Sequence, residues 1–499
     1  MTTLSAPVAA AEKPTPYSYA EDATTVAGAA SSTGAVRLVA GKTYRSTIGP
    51  DGKLYYRLHL DAASDAYVSA TAVPEAGSDA ASSDGVRVSL QDADAHQCSS
   101  DTARFGSTRS AHPVTAWASR EIGSDEYMCQ AAGVYYLVVE RVGAAVGTST
   151  GASGTGASGT GASGTGTSGT GSASGSTSGS AGETSSEEWG LELGVVSEPL
   201  VKKGGSTHAP EGWNSASPEG LSGEPEHRRG GSGFAAASPV AQGVWQDEAG
   251  IRAGETLFYK VPVGWGQQFH ATAELGSTTD GDGHVGNAFV VSLYNPVRGL
   301  VDDRTANYGG TQRSAALGPL PPVAYENRFS RDDEVNGMRF AGWYYLVVHL
   351  GTSVADRYGE EPLGLTLRVR LDGEAGAGPG YLGTAEPRGV FEVTEGDEEA
   401  AENGATGDTL DGAVDGGGSG GDEGTSGSGE GSGSTSGADD RRLAMTAVAA
   451  GGIGMGTLLV LVLVVWTLVA RRRASGEAGP ELSGAGTAPR GRHGASRGR

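Results

Sequence analysis

Apolar positions along the chain fall into three regimes. Over residues 34–142, 189–200 and 234–374, short runs are alternating or β-branched and aromatic, and each is bounded by Gly, Pro or Asp. A period of two puts one side-chain face in a core and the other outside, so these runs predict strands; no run holds a useful 3.6-residue helical period. The second regime runs from Leu443 to Ala470. It has no charged residue from Leu443 to Val469, and Thr457 to Trp466 is apolar on every helical face. About 20 such residues cross a hydrocarbon core of roughly 30 Å, so this segment predicts one transmembrane helix. In the third regime there is no apolar pattern at all. Residues 143–186 are almost entirely Gly, Ser, Thr and Ala, residues 396–440 are similar but acidic, and residues 202–233 are polar and rich in Gly, Pro and Ser. Such tracts cannot bury apolar surface and are expected to be disordered.

The two strand-rich regions repeat one another. Gly52 to Leu60 matches Gly254 to Val263, and Ala66 to Val73 matches Gln268 to Leu275. Val86 to Leu90 matches Phe289 to Leu293, Thr102 to Gly106 matches Thr305 to Gly309, and Gly133 to Val139 matches Gly342 to Val348. The order is the same in both copies. The fold class expected is all-β: two related antiparallel β-sandwich (jelly-roll-like) modules, joined by Gly/Ser linkers and followed by one transmembrane helix. After Val348 the second copy closes on Leu363 to Leu371. The matching strand of the first copy, Trp189 to Val196, lies beyond the Gly/Ser tract. Residues 143–186 are therefore read as an insertion in one hairpin of the first module, which the slow growth of loop entropy tolerates.

The resulting organisation is an N-terminal segment 1–33, module 1 over 34–200 with its insertion, a linker 201–233 and module 2 over 234–374. An acidic stalk 375–440, the span 443–470 and a tail 471–499 follow. Forty-five flexible residues reach about 35–40 Å, enough to hold the modules off a bilayer.

Cys98 and Cys129 are the only cysteines. Aligned through the repeat, they correspond to Val301 and Met338, as a buried disulfide replaced by an apolar pair would. A Cys98–Cys129 bond closing a loop of about 30 residues is worth roughly 3 kcal/mol.

Charge orients the chain. The formal net charge is −23, but the segment after Ala470 holds seven Arg against two Glu. Positive residues stay cytoplasmic, so the C-terminus is expected inside and the acidic remainder extracellular at the cell membrane, with the membrane as a partner. Strong negative charge repels phosphates, so no nucleic-acid partner is expected. The start, Met1 to Ala11 followed by Glu12-Lys13-Pro14, has the small residues of a signal-peptide cleavage site without the basic and apolar segments before it, as if the signal peptide were truncated.

Gly52-Lys-Leu-Tyr-Tyr56 and Gly254-Glu-Thr-Leu-Phe-Tyr259 near the start of the copies, with Gly-x-Tyr-Tyr-Leu-Val-Val near the end of each, resemble the pre-peptidase C-terminal family of secreted β-sandwiches, found in membrane-anchored actinobacterial surface proteins. Here the resemblance covers Gly52 to Leu58, Gly133 to Val139, Gly254 to Val261 and Gly342 to Val348. The resemblance implies noncatalytic modules that bind surfaces, matrix or partner domains, and some related sandwiches bind calcium.

The chemistry-bearing motifs are few. Gly281 to Gly286 fits a dinucleotide fingerprint but lies between predicted strands, with no helix N-terminus for a pyrophosphate. The nine histidines lack metal spacing. No catalytic residues and no cofactor are expected. Calcium is the one ligand carried forward, with Asp280 and Asp282 in one Gly-rich turn and Asp302 and Asp303 in another acidic stretch, beside Asp332 to Glu334. The expected function is noncatalytic display, binding an envelope protein or polymer through the sandwiches. The alternatives are a tethered envelope hydrolase or its accessory, and a sensor with a short basic tail. If the topology holds, protease added to intact cells removes the chain up to Asp440 and spares the Arg-rich tail. An intact ectodomain with a digested tail rejects it.

Overall fold

The structure is a computed structural model, and it describes residues 13–76, 78, 80–123, 128–143, 187–202 and 205–404. The predicted span 443–470, the tail and most of the insertion lie outside these residues. Among the described residues no helix is long and apolar enough to cross a membrane.

Module 1 has eight main strands: β1 (Thr43–Ile48), β2 (Lys53–Leu60), β3 (Ser64–Val73), β4 (Gly85–Asp92), β5 (Gln97–Arg104), β6 (Val114–Arg120), β7 (Gly133–Val142) and β8 (Trp189–Pro199). Module 2 repeats them as β9 (Gly243–Gln246), β10 (Thr256–Val263), β11 (Gln268–Leu275), β12 (Val285–Tyr294), β13 (Leu300–Tyr308), β14 (Arg313–Ala316), β15 (Gly342–Leu350) and β16 (Leu365–Asp372). Each module pairs two antiparallel four-stranded sheets, in the order β1-β8-β3-β6 and β2-β7-β4-β5, and likewise β9-β16-β11-β14 and β10-β15-β12-β13. This is the jelly-roll order. A two-residue parallel strand adds to each outer edge: Thr24–Thr25, Val36–Arg37, Glu226–His227 and Ser238–Pro239.

The period-two pattern explains the cores. On β8, Trp189, Leu191, Leu193 and Val195 point inward, beside Val68, Ala70 and Ala72 of the neighbouring strand β3 within one apolar cluster. Leu365, Leu367 and Val369 of β16 do the same in module 2. Each such side chain contributes about 1.5–3 kcal/mol by leaving water. The Tyr-Tyr motif has a specific cause. Its first tyrosine is buried and donates its hydroxyl proton to the carbonyl four residues earlier, Tyr135 to Ala131 and Tyr344 to Phe340, both at 2.7 Å. The motif glycine Gly342 has φ +128°, and a Cβ there would lie 2.3 Å from the Val390 carbonyl oxygen.

Several boundaries differ from those expected. Residues 144–186 fall in the connection from β7 to β8, which belong to opposite sheets, so they interrupt a crossing between sheets rather than a hairpin. The segments expected as linkers also carry structure where they are described. Thr24 and Thr25 pair with β1. Residues 205–233 lie along module 2, and residues 375–404 return over both modules, ending in the helix Glu395–Asn403 with a Thr394/Asp397 capping box. Polar composition concealed these contacts because a few aromatic anchors hold them. Tyr17, Trp213, Tyr381 and Phe391 are the anchors, all at least partly buried.

Cys98 and Cys129 form a disulfide with Cα atoms 5.7 Å apart. Val301 and Met338 are buried in the equivalent core. Replacing the cysteines by Val and Met should therefore cost about 3 kcal/mol of loop closure with little packing loss, and Ser at both should cost more. Urea unfolding of the two double variants checks this; equal stabilities would show that the site is not packed as an apolar pair.

Candidate functional site

Both modules belong to one compact unit, and the seam between them concentrates the polar chemistry. Alternation places Glu192 and Glu198 of β8, Tyr67 of β3 and Trp117 of β6 on the sheet face away from the module 1 core, and this face turns toward module 2. There it meets side chains from the outer face of β15 and from nearby loops. Tyr67 packs edge-on to Phe340 at 5.1 Å.

Each glutamate is fully buried and accepts three hydrogen bonds. Glu192 takes Arg298 at 2.5 Å, the Tyr17 hydroxyl at 3.2 Å and the Ala20 amide at 3.1 Å. Glu198 takes Arg328 at 2.6 Å and the hydroxyls of Tyr67 at 2.7 Å and Tyr381 at 2.9 Å. Arg328 also lies 3.4 Å from Asp65. Burial pushes the Asp65 carboxyl up to about 7, opposed by Arg328 and reinforced by the Glu198 charge. Arg339, itself buried, donates to Glu121 at 2.9 Å. Burial acts to raise the Glu121 carboxyl, but the Arg339 and Arg328 charges outweigh it, and the net shift is downward.

At the other end of the seam His112 stacks on His349 with ring centroids 4.3 Å apart. His112 bonds the Ser110 carbonyl at 2.7 Å, and His349 Nδ1 lies 3.0 Å from both Thr256 Oγ1 and the Glu255 carbonyl. Burial lowers the His112 imidazole to about 4 and takes His349 well below its ordinary range, helped by His112.

Beside Trp117 the seam opens into a cleft of about 450 Å³ lined by both modules. Module 1 contributes Ser99 and Asp101 from β5 and Trp117 from β6; module 2 contributes Leu300 and Asp303 from β13 and Asp333 from the helix Asp333–Gly337. Asp101 accepts the amides of Thr102 at 2.6 Å and Trp117 at 3.3 Å. Ser99 exchanges hydrogen bonds with the Ser119 amide and carbonyl. Side chains of edge strand β5 thus satisfy the open edge of β6, which blunts strand-to-strand aggregation there. Burial raises the Asp101 carboxyl, and the Asp333 charge adds to it, so these carboxyls sense one another across the seam.

The calcium candidates separate. Asp280 and Asp282 are exposed in the turn before β12, whereas Asp302 is buried, bonded to the Gly318 amide at 2.7 Å and paired with Arg304. Asp303 faces the cleft. Among the described residues, the set whose ligand atoms converge is Asp92, Asp94 and His96, in the β4–β5 turn. It is open to solvent, and Asp92 is already engaged by His96 and by two backbone amides. Sequence reasoning missed Asp101, Trp117 and the buried glutamates. A Glu at every third outward position of β8 reads as solvent-facing until a second module covers it.

The geometry defines a protein of two fused jelly-roll modules. No protein-family model matches the chain, and no curated protein matches it. Among solved structures, it is similar to the tandem CBM22 modules of Paenibacillus barcinonensis Xyn10C, at 7% identity over 67% of this chain and 92% of that one, TM-score 0.16. It is also similar to the tandem CBM51 modules of a Streptococcus pneumoniae family 98 glycoside hydrolase, at 8% identity over 68% and 85%, TM-score 0.15. A third is the CUB1-EGF-CUB2 region of human MASP-1/3, at 8% identity over 66% and 99%, TM-score 0.13.

The histidine pair generates a pH prediction. A depressed imidazole pKa means the unfolded chain binds more protons between about pH 4 and 6.5, so His112 withdraws stability as pH falls through that window. The amount is about 3 kcal/mol. The raised Asp65 carboxyl acts with the opposite sign in much of the same window, so the wild-type curve alone conceals the effect. Subtracting the curve of His112→Phe isolates it: the variant should gain about 3 kcal/mol relative to wild type between pH 6.5 and 4. A pH-independent difference in urea unfolding would rule this out.

Proposed function

We propose that this chain is a noncatalytic binding protein, displayed outside the cell on the helix 443–470, that holds a segment of an envelope polymer in the cleft between its modules. The observation that carries the reading is the shared cleft. A wall from each module requires the two sandwiches to act as one body, and the buried ion pairs beside it fix that geometry. The lining offers acceptors at Asp101, Asp303 and Asp333 and apolar surface at Trp117 and Leu300, a combination suited to hydroxyl- or amine-bearing units with one apolar face. Among the described lining residues there is no histidine or cysteine to serve as base or nucleophile.

A second reading draws on Asp101. A carboxyl raised by burial and facing another carboxyl is the arrangement a glycoside hydrolase uses, one as acid and one as base. A tethered hydrolase is therefore the competing function.

Both readings are checked with the purified full-length chain and isolated cell-wall polysaccharide. Asp303→Lys places a cation in the cleft from an exposed position. Binding in a pull-down should fall at least about tenfold, as expected when an acceptor to a charged or polar group is lost. Undiminished binding by Asp303→Lys rejects the cleft, and release of new reducing ends by the wild type replaces display with hydrolysis.

A further inference from the structure

The two modules use one equivalent sheet face in different ways. The strand pairings set the equivalence: Leu193 of β8 opposes Ala70, and Leu367 of β16 opposes Ala273. Aligning Trp189 to Leu193 with Leu363 to Leu367 makes Tyr67 equivalent to His270 and Glu198 equivalent to Asp372. In module 1 this face is covered by module 2, and Arg328 completes the Tyr67–Glu198 pair. In module 2, among the described residues, the face meets no module. The segment from Trp213 to Leu221 crosses it instead, leaving a cavity of about 250 Å³ beneath.

The floor of this cavity carries His270 and Thr272 of β11 and Arg368 and Arg370 of β16, and Leu317 and Pro319 line one side. The roof is held to the sheet by Gln268 Nε2 donating to the Asn214 carbonyl and Arg368 Nη1 donating to the Leu221 carbonyl, each at 2.8 Å. Residues 214–220 of the roof are otherwise exposed.

The charges on this face are unequally matched. Glu274 receives Arg368 Nε at 2.9 Å and Nη2 at 3.2 Å, a bidentate pair that neutralises both. Asp372 is shared: it lies 3.3 Å from His270 Nε2 and 3.7 Å from Arg370 Nη1, the second beyond hydrogen-bond length. Burial lowers the His270 imidazole, with Asp372 opposing that shift and Arg370 adding to it. Glu219 sits on the roof. Arg370 is the unsatisfied group: its Nε is buried and has no hydrogen-bond partner among the described residues. A guanidinium presents five donors in a planar fork matched to a carboxylate.

We infer that this roofed groove is a binding site for a carboxylate-bearing sugar unit, a uronic acid, with Arg370 receiving the carboxylate and the ring lying between Thr272 and the roof. The volume falls below the roughly 300–1,000 Å³ of sites for drug-sized ligands, which restricts the occupant to a single ring. The apolar flank at Leu317 and Pro319 suits a ring's carbon face, and Arg368, whose carboxylate partner is already in place, contributes shape rather than charge. The site is separate from the cleft at the seam and does not depend on it.

The test measures D-glucuronate and D-glucose binding to the full-length chain by calorimetry. Glucuronate should bind and glucose should not. Arg370→Gln should weaken glucuronate by at least about tenfold, the loss of one charge-assisted pair. Thr272→Trp, which fills the floor without removing a charge, should abolish binding, so the inference stays testable if Arg370→Gln does not fold. Asp303→Lys, in the cleft, should leave glucuronate binding unchanged. Equal binding of glucose and glucuronate, full binding by either groove variant, or no binding of glucuronate to the wild type overturns the assignment.

Discussion

Two buried carboxylates on one strand fix how the two modules meet. Glu192 and Glu198 both project from β8 toward module 2, and each collects donors from different parts of the chain. Glu192 joins an arginine of module 2 to a tyrosine and an amide of the N-terminal segment. Glu198 joins another arginine of module 2 to a tyrosine of its own module and one of the C-terminal segment. Stripping a carboxylate of water costs several kcal/mol, which one charge-assisted bond and two neutral ones offset only when all are made. The penalty for partial assembly is what selects one docking geometry. A seam made only of Val297, Phe340 and Phe391 would be as apolar, but it could slide.

The terminal segments follow from this constraint. Tyr17 and Tyr381 are each remote in sequence from the glutamate they reach, and each also contributes ring surface. Tyr17 lies 5.8 Å from Phe258 with its ring edge-on, and Phe391, near Tyr381, stacks on Phe340 at 4.9 Å. Aromatic pairs of this geometry add about 0.5–1.5 kcal/mol each beyond area burial. Removing either segment would leave a buried carboxylate short of a donor. The module pair is therefore a closed circuit, in which sequence-distant segments complete sites that neither sandwich completes alone.

How much of this was legible depended on whether the signal was local. The repeat, the β-sandwich class it implied and the Cys98–Cys129 pairing all rest on alternation and on offsets between the two copies, and those are legible in the sequence. The Gly-x-Tyr-Tyr motif was visible as a pattern, but its cause, a hydroxyl bonded four residues back, was not. The seam was illegible. Glu192 and Glu198 occupy outward positions, where a charge is the expected residue on any half-exposed strand. Only the second module turns that solvent face into an interior, and no periodicity in β8 records its presence. The segment after module 2 reads as a solvated stalk because Gly, Ser and acidic residues outnumber its few aromatic anchors. Asp302 and Asp303 do not converge for a related reason: successive residues of a strand point to opposite faces, so neighbours in sequence need not share a site.

The same alternation explains how duplicated sandwiches acquire different surfaces. Inward positions of β8 and β16 are held to Leu, Val or Trp by the core, so the two copies differ little there. Outward positions carry no such requirement. Glu192, Gly194, Val196 and Glu198 of β8 correspond to Thr366, Arg368, Arg370 and Asp372 of β16 by the register that aligns Leu193 with Leu367. On β8 the small Gly194 and apolar Val196 allow close approach of another module, and the flanking acids choose the arginines it must bring. On β16 two long cationic side chains stand at those middle positions, and a module could not dock flat over them. A thin segment of backbone, supplying carbonyls to Gln268 and Arg368, can. Four residues on one strand face thus decide whether the sheet receives a neighbour or keeps a groove.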